Sequence, residues 1–313
     1  MSQPMDWLSQ LLEMVPVRGR LDLHCLYGAP WRIDQGPAAA GEIPYHAVLA
    51  GSAMLEDPMG GPPRRLVAGD ILLLPQNPRH VLHDGGGLPP IPAQADARLN
   101  VTVSENAGPG ERLDMLCGHF MLRPPHDRLL PDHLPPVLIV HTADPEAERA
   151  GTGTELADLV SLMRTEAAVE HLGSRAMLNA LSTALFTLTF RLASEAAIAP
   201  TGLLALAGHP RLAPALTALF QDPAHSWSLP ELARLCHMSR ATLVRHFQEH
   251  LGRSANELLT DIRMTLATNE LRRPSTSMAA VAATVGYQSE AAFQRAFKQR
   301  MGMTPAQWRR AFR

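Results

Sequence analysis

Cysteine is scarce in this chain: Cys25, Cys117 and Cys236 are the only three in 313 residues. An odd count at this length argues against a secreted disulfide scaffold. Aromatics make up 5% of the residues, and lysine is reduced to Lys298, so arginine carries nearly all the positive charge. No stretch approaches the ~20 apolar residues of a membrane span, and no basic N-terminal region leads into an apolar run. The expectation is a cytoplasmic chain with no membrane partner. What is plentiful is apolar material: 46% of the residues are hydrophobic, enough for two cores rather than one.

Charge is unevenly spread. Leu206 to Arg313 hold 14 Lys+Arg and 7 Asp+Glu, a net of +7, against −9 for the rest and −2 overall. A basic C-terminal third on an acidic body is the electrostatic footprint of a nucleic-acid module, the alternative being a helical bundle with a solvated basic face.

The same third contains one structural unit twice, 50 residues apart. Ser239-Arg-Ala-Thr-Leu-Val-Arg245-His-Phe247 lines up with Ser289-Glu-Ala-Ala-Phe-Gln-Arg295-Ala-Phe297. Outward from there, Ala233 pairs with Ala283, Leu235 with Val285, and Cys236 with Gly286 at the turn. Ser228 followed by Glu231 is a capping box that opens a helix. Ser239 and Ser289 cap the helices that follow the turns, and Ser277 or Met278 starts the first helix of the second copy. Helix–turn–helix is the unit that lays its second helix in the major groove of double-stranded DNA.

Ser239-Arg-x-x-Leu-x-Arg-x-Phe, Val285-Gly-Tyr-x-Ser289-x-x-x-Phe-x-Arg295-Ala-Phe-Lys298 and Gly302-x-Thr-Pro-x-x-Trp308-Arg309 resemble the DNA-binding domain of the AraC family of bacterial transcription regulators. The match runs from about Leu206 to Arg313. It implies two helix–turn–helix units bridged by one long helix, near Ala255 to Leu271, and successive major-groove contacts on one duplex. It further implies a homodimer, RNA polymerase as a partner, activation of transcription, and no catalysis or cofactor.

The N-terminal part reads differently. Met5 to Met14 is an amphipathic helix, with Trp7, Leu8, Leu11 and Leu12 on one side. Short strands follow at Leu21–Tyr27, Tyr45–Leu55, Leu66–Val67, Ile71–Leu74, Leu99–Val103 and Met115–Leu122, separated by Gly/Pro turns, which indicates a small barrel or sandwich. Gly69-Asp-Ile-Leu-Leu-Leu-Pro75 with His80 resembles the second motif of the cupin barrel, and Pro44-Tyr-His46 falls where the first would lie. That first motif needs a second His and a Glu, so the metal site reads as degraded or altered. Pro124 to Gly153 is proline-rich and reads as a connector.

Helical spacing returns from Thr154. Leu178, Leu181, Leu185, Leu188 and Leu192 form a coiled-coil-like seam that either packs on the barrel or, as in the resembled family, dimerises. The fold expected is α+β in two domains. These are a cupin-like sensor (1–150), a helical dimerisation segment (151–197), a linker (198–209) and an all-α double helix–turn–helix domain (210–313).

Ser239, Arg240, Ala241, Thr242 and Arg245 in one unit, and Ser289, Glu290, Ala291, Gln294, Arg295 and Lys298 in the other, are the candidate DNA contacts. Arg245 and Arg295 suit base reading, because arginine pairs bidentately with guanine. Arg240, Lys298, Arg300, Arg309 and Arg310 suit phosphate contacts, which position without specifying.

Three readings of the sensor stay open. Leu23-His-Cys25-x-x-Gly-x-x-Trp31, Leu73-Leu-Pro-Gln-Asn77 and Leu116-Cys117-Gly-x-Phe120 resemble the reactive-chlorine-responsive members of the AraC family. That resemblance implies a redox pair, Cys25 and Cys117, with His24 and His119 beside them to favour thiolate. A metal held among His24, His46, His80, His83, His119 and the cysteines is the second reading. An organic effector in the barrel is the third. A metal-dependent cupin enzyme fused to a DNA-binding tail is kept as the reading from another class. Cys236 is expected to pack.

Overall fold

The computed structural model describes residues 5–122, 129–142, 151–196 and 200–312. They fall into two compact units, each described by itself. One is built from Val17–Leu122 and Leu134–Pro200, the other from Met1–Pro16, Arg123–His133 and Thr201–Arg313.

The first unit is a two-sheet barrel with two helices on its outside. A seven-stranded sheet runs in the order β11-β6-β3-β10-β1-β9-β8 and a four-stranded sheet in the order β2-β7-β4-β5. Their strands are β1 (Val17–Gly28), β2 (Arg32–Gln35), β3 (Glu42–Ala50), β4 (Ser52–Glu56), β5 (Arg64–Val67), β6 (Asp70–Leu73), β7 (His80–His83), β8 (Gln94–Ala97), β9 (Thr102–Glu105), β10 (Arg112–Leu122) and β11 (Leu138–His141). Side chains alternate between faces along each strand. Cys25, Tyr27, Val48, Leu72, Met115 and Cys117 therefore meet Leu55, Leu66 and Leu82 of the smaller sheet in one core between the sheets.

Two helices cover the other face of the larger sheet: α3 (Thr152–Ala168) and α4 (Ser174–Glu195). Tyr45 stacks on Phe120 at 4.6 Å, Phe120 meets Phe186 edge-on at 4.9 Å, and Phe186 stacks on Phe190 at 4.2 Å. Gly19 is where β1 and α4 come closest: a Cβ there would lie 2.3 Å from the Ser182 backbone. The Gly19 amide also donates to Thr183 Oγ1 at 2.9 Å.

Several expectations are corrected by this unit. The strand reading missed β2, β7, β8 and β11. Of the presumed connector 124–153, residues 138–141 are a strand paired with β6, while residues 124–128 and 143–150 lie outside the described residues. The sequence passes over β11 because only four residues separate its Pro/Gly-rich surroundings. Helix α4 has 22 residues, and its most apolar window, with a mean hydropathy of 1.3, would suffice by length and composition to cross a membrane, but 44% of that window is buried within the chain. Three leucines of its seam, Leu178, Leu185 and Leu192, are buried within this chain, while Leu181 and Leu188 are half-buried.

The second unit is all helix: α1 (Trp7–Met14), α2 (Leu129–His133), α5 (Leu203–Gly208), α6 (Ala213–Gln221), α7 (Leu229–Leu235), α8 (Arg240–Leu251), α9 (Ala255–Leu271), α10 (Met278–Thr284), α11 (Glu290–Met301) and α12 (Pro305–Ala311). Hydroxyl caps start the helices the sequence marked. Ser228, Ser254 and Thr304 form capping boxes, and Ser239, Ser277 and Ser289 accept from the amides of Thr242, Ala280 and Ala292. Helix α9 bridges the two helix–turn–helix units over the residues expected.

Two boundaries differ from the expected domain limits. Residues read as linker include α5, whose Leu203, Leu204 and Leu206 are fully buried; residues 197–199 lie outside the described set. Helices α1 and α2, assigned by sequence to the sensor, pack in this unit instead. Trp7 faces Phe220 at 6.1 Å, Asn269 Nδ2 donates to the Met14 carbonyl at 3.0 Å, and His133 Nε2 lies 2.8 Å from Asp261 Oδ2. The apolar side of α1 needed a partner surface, and the sequence does not say whose.

Candidate nucleic-acid interface and sensor cluster

The two copies of helix–turn–helix superpose in burial as well as in sequence. From residue 241 to 250 and from 291 to 300 the pattern of exposed, half-buried and buried positions is identical. Leu243 and Phe247 point into one core, Phe293 and Phe297 into the other. Arg240, Ala241 and Arg245 stand exposed on α8, and Glu290, Ala291, Gln294, Arg295 and Lys298 on α11. Ser239 and Ser289 serve as caps. Thr242 is half-buried, its hydroxyl 2.8 Å from that of Ser239. The same exposed face includes Val244 and Gln248, which the sequence reading left out; a strict 3.6-residue wheel drawn from Ala241 and Arg245 would have found both.

The first helices of the two copies repeat at 49 residues, not 50. Leu232, Ala233 and Cys236 are buried, and so are Val281, Ala282 and Val285. Leu235 is 36% exposed while Val285, its supposed partner, is 0%. The left-handed residue of the turn is His237 (φ 49°) in the first copy and Gly286 (φ 81°) in the second. Cys236 therefore matches Val285 as packing, not Gly286, and the first turn is one residue shorter.

Two arginines expected on phosphates are engaged within the fold. Arg309 donates from Nε to the Leu271 carbonyl (3.2 Å) and from Nη2 to that of Thr276 (2.6 Å). Arg300 binds both carboxylate oxygens of Asp261, which also receives His133. Arg310 is exposed, as are Arg240 and Lys298. Arg245 leans toward Glu249 at 3.6 Å, one turn along α8.

In the barrel, Leu23 lies opposite Cys117 on the paired strands β1 and β10, so Cys25 is its diagonal neighbour on the same face. Their sulfurs are 3.6 Å apart. Across the other edge of β10, Cys117 lies directly opposite His46 of β3, whose Nδ1 is 3.1 Å from the Cys117 sulfur. His46 Nε2 is 2.9 Å from His80 Nε2 on the smaller sheet, and His80 Nδ1 is 3.2 Å from the Pro78 carbonyl. That carbonyl can only accept, so His80 carries its proton on Nδ1 and receives one from His46 Nε2–H. His46 Nδ1 is then left to accept the Cys117 S–H.

Burial, reinforced by His80, pushes the His46 pKa well below its ordinary value, and burial lowers that of His80. Both rings are therefore neutral near pH 7. The Cys117 thiol is pushed well up by Cys25 beside it and by burial. Cys25 is lowered, first by its hydrogen bond with Cys117 and against the effect of burial.

The histidines expected beside the cysteines have carboxylate partners instead. His24 and Cys25 are consecutive on β1 and point to opposite faces, whereas His119, two residues from Cys117 on β10, shares its face. His24 Nε2 meets Asp114 Oδ1 at 2.7 Å, and His119 Nδ1 meets Asp22 Oδ2 at 2.7 Å. His83 Nδ1 accepts from the Gly85 amide at 3.0 Å. Among the described residues, the barrel brings no three of these histidines and cysteines within mutual metal-ligand range. A cavity of ≈ 260 Å³ lies instead on the helix-covered face of the sheet, lined by Ala47, Ile71, Val160 and Arg164 among others.

A double helix–turn–helix unit with twin exposed helices, accompanied by a cupin-type barrel, defines a DNA-binding regulator. Residues 6–195 match the cupin family model and residues 232–311 that of a helix-turn-helix domain. The chain is 32% identical over 310 residues to a putative AraC-like transcription regulator of Streptomyces antibioticus (98% of this chain, 99% of that one). It is 30% identical over 308 residues to an uncharacterised HTH-type transcriptional regulator of Haemophilus influenzae (98% and 99%). It is 28% identical over 310 residues to the RCS-specific HTH-type transcriptional activator RclR of Escherichia coli (99% and 99%). The chain belongs to the AraC-like transcription regulators with an N-terminal cupin domain. It is a DNA-binding transcription regulator.

Proposed function

We propose that this regulator is a cytoplasmic transcription activator switched by an oxidant, hypochlorous acid being the best candidate, through Cys25 and Cys117. The observation that carries the reading is the enclosed sulfur pair at 3.6 Å with a neutral imidazole 3.1 Å from one of them. Similarity to a relative named as RCS-specific adds support. The chemistry balances. The Cys25 thiolate takes chlorine from hypochlorous acid, releasing hydroxide and leaving a sulfenyl chloride. The Cys117 sulfur attacks that sulfur, chloride leaves, and the Cys117 proton passes to His46 Nδ1. The product is a disulfide, which requires the sulfurs to close from 3.6 Å to the ~2.05 Å of an S–S bond.

On DNA, Arg245 and Arg295 read bases in successive major-groove segments, while Arg240, Lys298 and Arg310 contact phosphates. Glu290, Ala291, Gln294, Ala241 and Thr242 line the same approach, with Val244 and Gln248 added. The regulator acts as a homodimer and engages RNA polymerase. Because Leu178, Leu185 and Leu192 of the α4 seam are buried inside the chain, the dimer surface is better sought at the exposed apolar residues Leu162, Val169, Leu172 and Met177 around the α3–α4 turn.

The test is binding of the purified chain to DNA from upstream of its own gene, reduced and then treated with hypochlorous acid, beside Cys25→Ala and Cys117→Ala. An altered affinity or footprint in the wild type alone is expected. An identical response in all three proteins would overturn the cysteine switch and direct attention to an effector in the cavity beneath α3.

A further inference from the structure

The first recognition helix carries a feature that base reading does not use. His246 and His250 are four residues apart on α8, hence on one face. His209, the residue that ends α5, packs against the same face, and the amide of Gly202 at the start of α5 donates to the His250 carbonyl at 2.7 Å. The ring centroids are 5.5 Å (His209–His246), 5.7 Å (His209–His250) and 5.8 Å (His246–His250) apart. One nitrogen from each ring can be chosen so that all three lie within 4.8 Å of one another. All three side chains are partly exposed, so the cluster is open to solvent on one side.

Three imidazoles gathered this closely call for an explanation, because they do not hydrogen-bond one another. His246 Nδ1 is buried without a hydrogen-bond partner, its nearest charged group being Glu249 Oε2 at 3.4 Å. His209 Nδ1 accepts from the Arg211 amide at 3.2 Å, which leaves its Nε2 on the open side.

We infer that His209, His246 and His250 form a binding site for a divalent transition-metal ion of the zinc class. Three imidazoles with a fourth position open to water are the ligand set such ions take, and Glu249 is placed to hold the Nδ1–H of His246 in an outer-shell contact. Metal–nitrogen bonds of about 2.0–2.1 Å require the rings to draw in by roughly an ångström each, within reach of their side-chain torsions. Hard ions such as magnesium, which demand oxygen ligands, are excluded by the same donor set.

The ion would clamp the end of α5 to the recognition helix. His246 adjoins Arg245 in sequence, while Ala241, Arg245 and Gln248 remain on the exposed face, so the clamp orders the reading helix without covering it. Because its ligands share no residue with the Cys25–Cys117 pair, the site stands or falls separately from the oxidant switch.

The experiment uses the untagged full chain, reduced, titrated with zinc against a competing chelator, and with cobalt as a spectroscopic substitute. One zinc per chain is expected, with visible cobalt bands but no thiolate charge-transfer band. His250→Ala and His209→Ala, on different helices and each checked for native circular dichroism, should weaken zinc at least about tenfold. Cys25→Ser/Cys117→Ser should bind as the wild type does. Unchanged zinc affinity in both histidine variants, or sulfur ligation in the cobalt spectrum, overturns the proposal.

Discussion

Cys117 and His46 occupy directly opposed positions on β10 and β3, with the imidazole Nδ1 3.1 Å from the sulfur. In the proposed oxidant switch, His46, held neutral by burial as His80 is, accepts the Cys117 proton as the disulfide closes. His46→Ala should slow loss of the two thiols under limiting hypochlorous acid by about tenfold or more, by removing a general base. Thiol labelling with time measures it; equal rates in variant and wild type would remove His46 from the switch.

Arg245→Ala and Arg295→Ala should each cost about 1–3 kcal/mol of specific DNA binding, with little change on random sequence. Arg309→Ala should behave differently, because its guanidinium serves the Leu271 and Thr276 carbonyls: the loss appears in thermal stability first. Competition binding and melting curves on the same three proteins separate the roles. An equal drop on random DNA for Arg245→Ala would reduce it to a phosphate contact.

Asp261 makes an acid-sensitive joint. Burial opposes its ionisation, yet hydrogen bonds from His133 and Arg300 hold its pKa below the ordinary 3.8. A depressed carboxylate contributes stability that is fully present above pH 3.8 and is lost as pH falls through the lower folded-state value. Asp261→Asn should therefore lose about 3 kcal/mol at pH 7, as expected when one partner of a buried ion pair is removed. In acid its unfolding free energy should approach that of the wild type. Urea titrations at pH 7 and pH 3 check both; a constant difference between the proteins would exclude the linkage.

Gly19→Val should destabilise the barrel unit by about 1–3 kcal/mol through forced overpacking, since even a Cβ would strike the Ser182 backbone at 2.3 Å. Gly36→Ala is the control, having nothing within 4 Å of its added carbon. Melting temperatures of the two variants should separate clearly, and coincident curves would mean that β1 and α4 can move apart.

The helical third was the more legible part because its signals are local. Hydroxyl caps, capping boxes and the Leu243/Phe247 and Phe293/Phe297 spacing act within four residues, so the helices fall where the sequence marks them. The turn was misjudged by one residue because a repeat drawn from the second helices, 50 apart, was carried through to first helices that repeat at 49. A positive φ at His237 replaces the glycine of the other copy, and nothing in its side chain announces this. In the barrel, β1 and β10 were visible by alternation, whereas β2, β7 and β8 are four residues each and carry polar or charged residues in place of an apolar run, and β11 was passed over inside a proline-rich segment.

Composition, charge asymmetry and the doubled motif were enough to determine a DNA-reading module on an acidic sensor body, because periodicity and net charge are properties of the chain itself. Which groups meet inside the sensor was decided by strand pairing. The period of two sent His24 to the face opposite Cys25, while register brought Cys25, Cys117, His46 and His80, drawn from four strands, into one line. Tertiary packing likewise gave Arg300 and Arg309 partners within the fold, gave α1 to the helical unit, and gathered His209 to His246 and His250. Such meetings depend on distances between segments remote in sequence, and those distances exist only once the chain has folded.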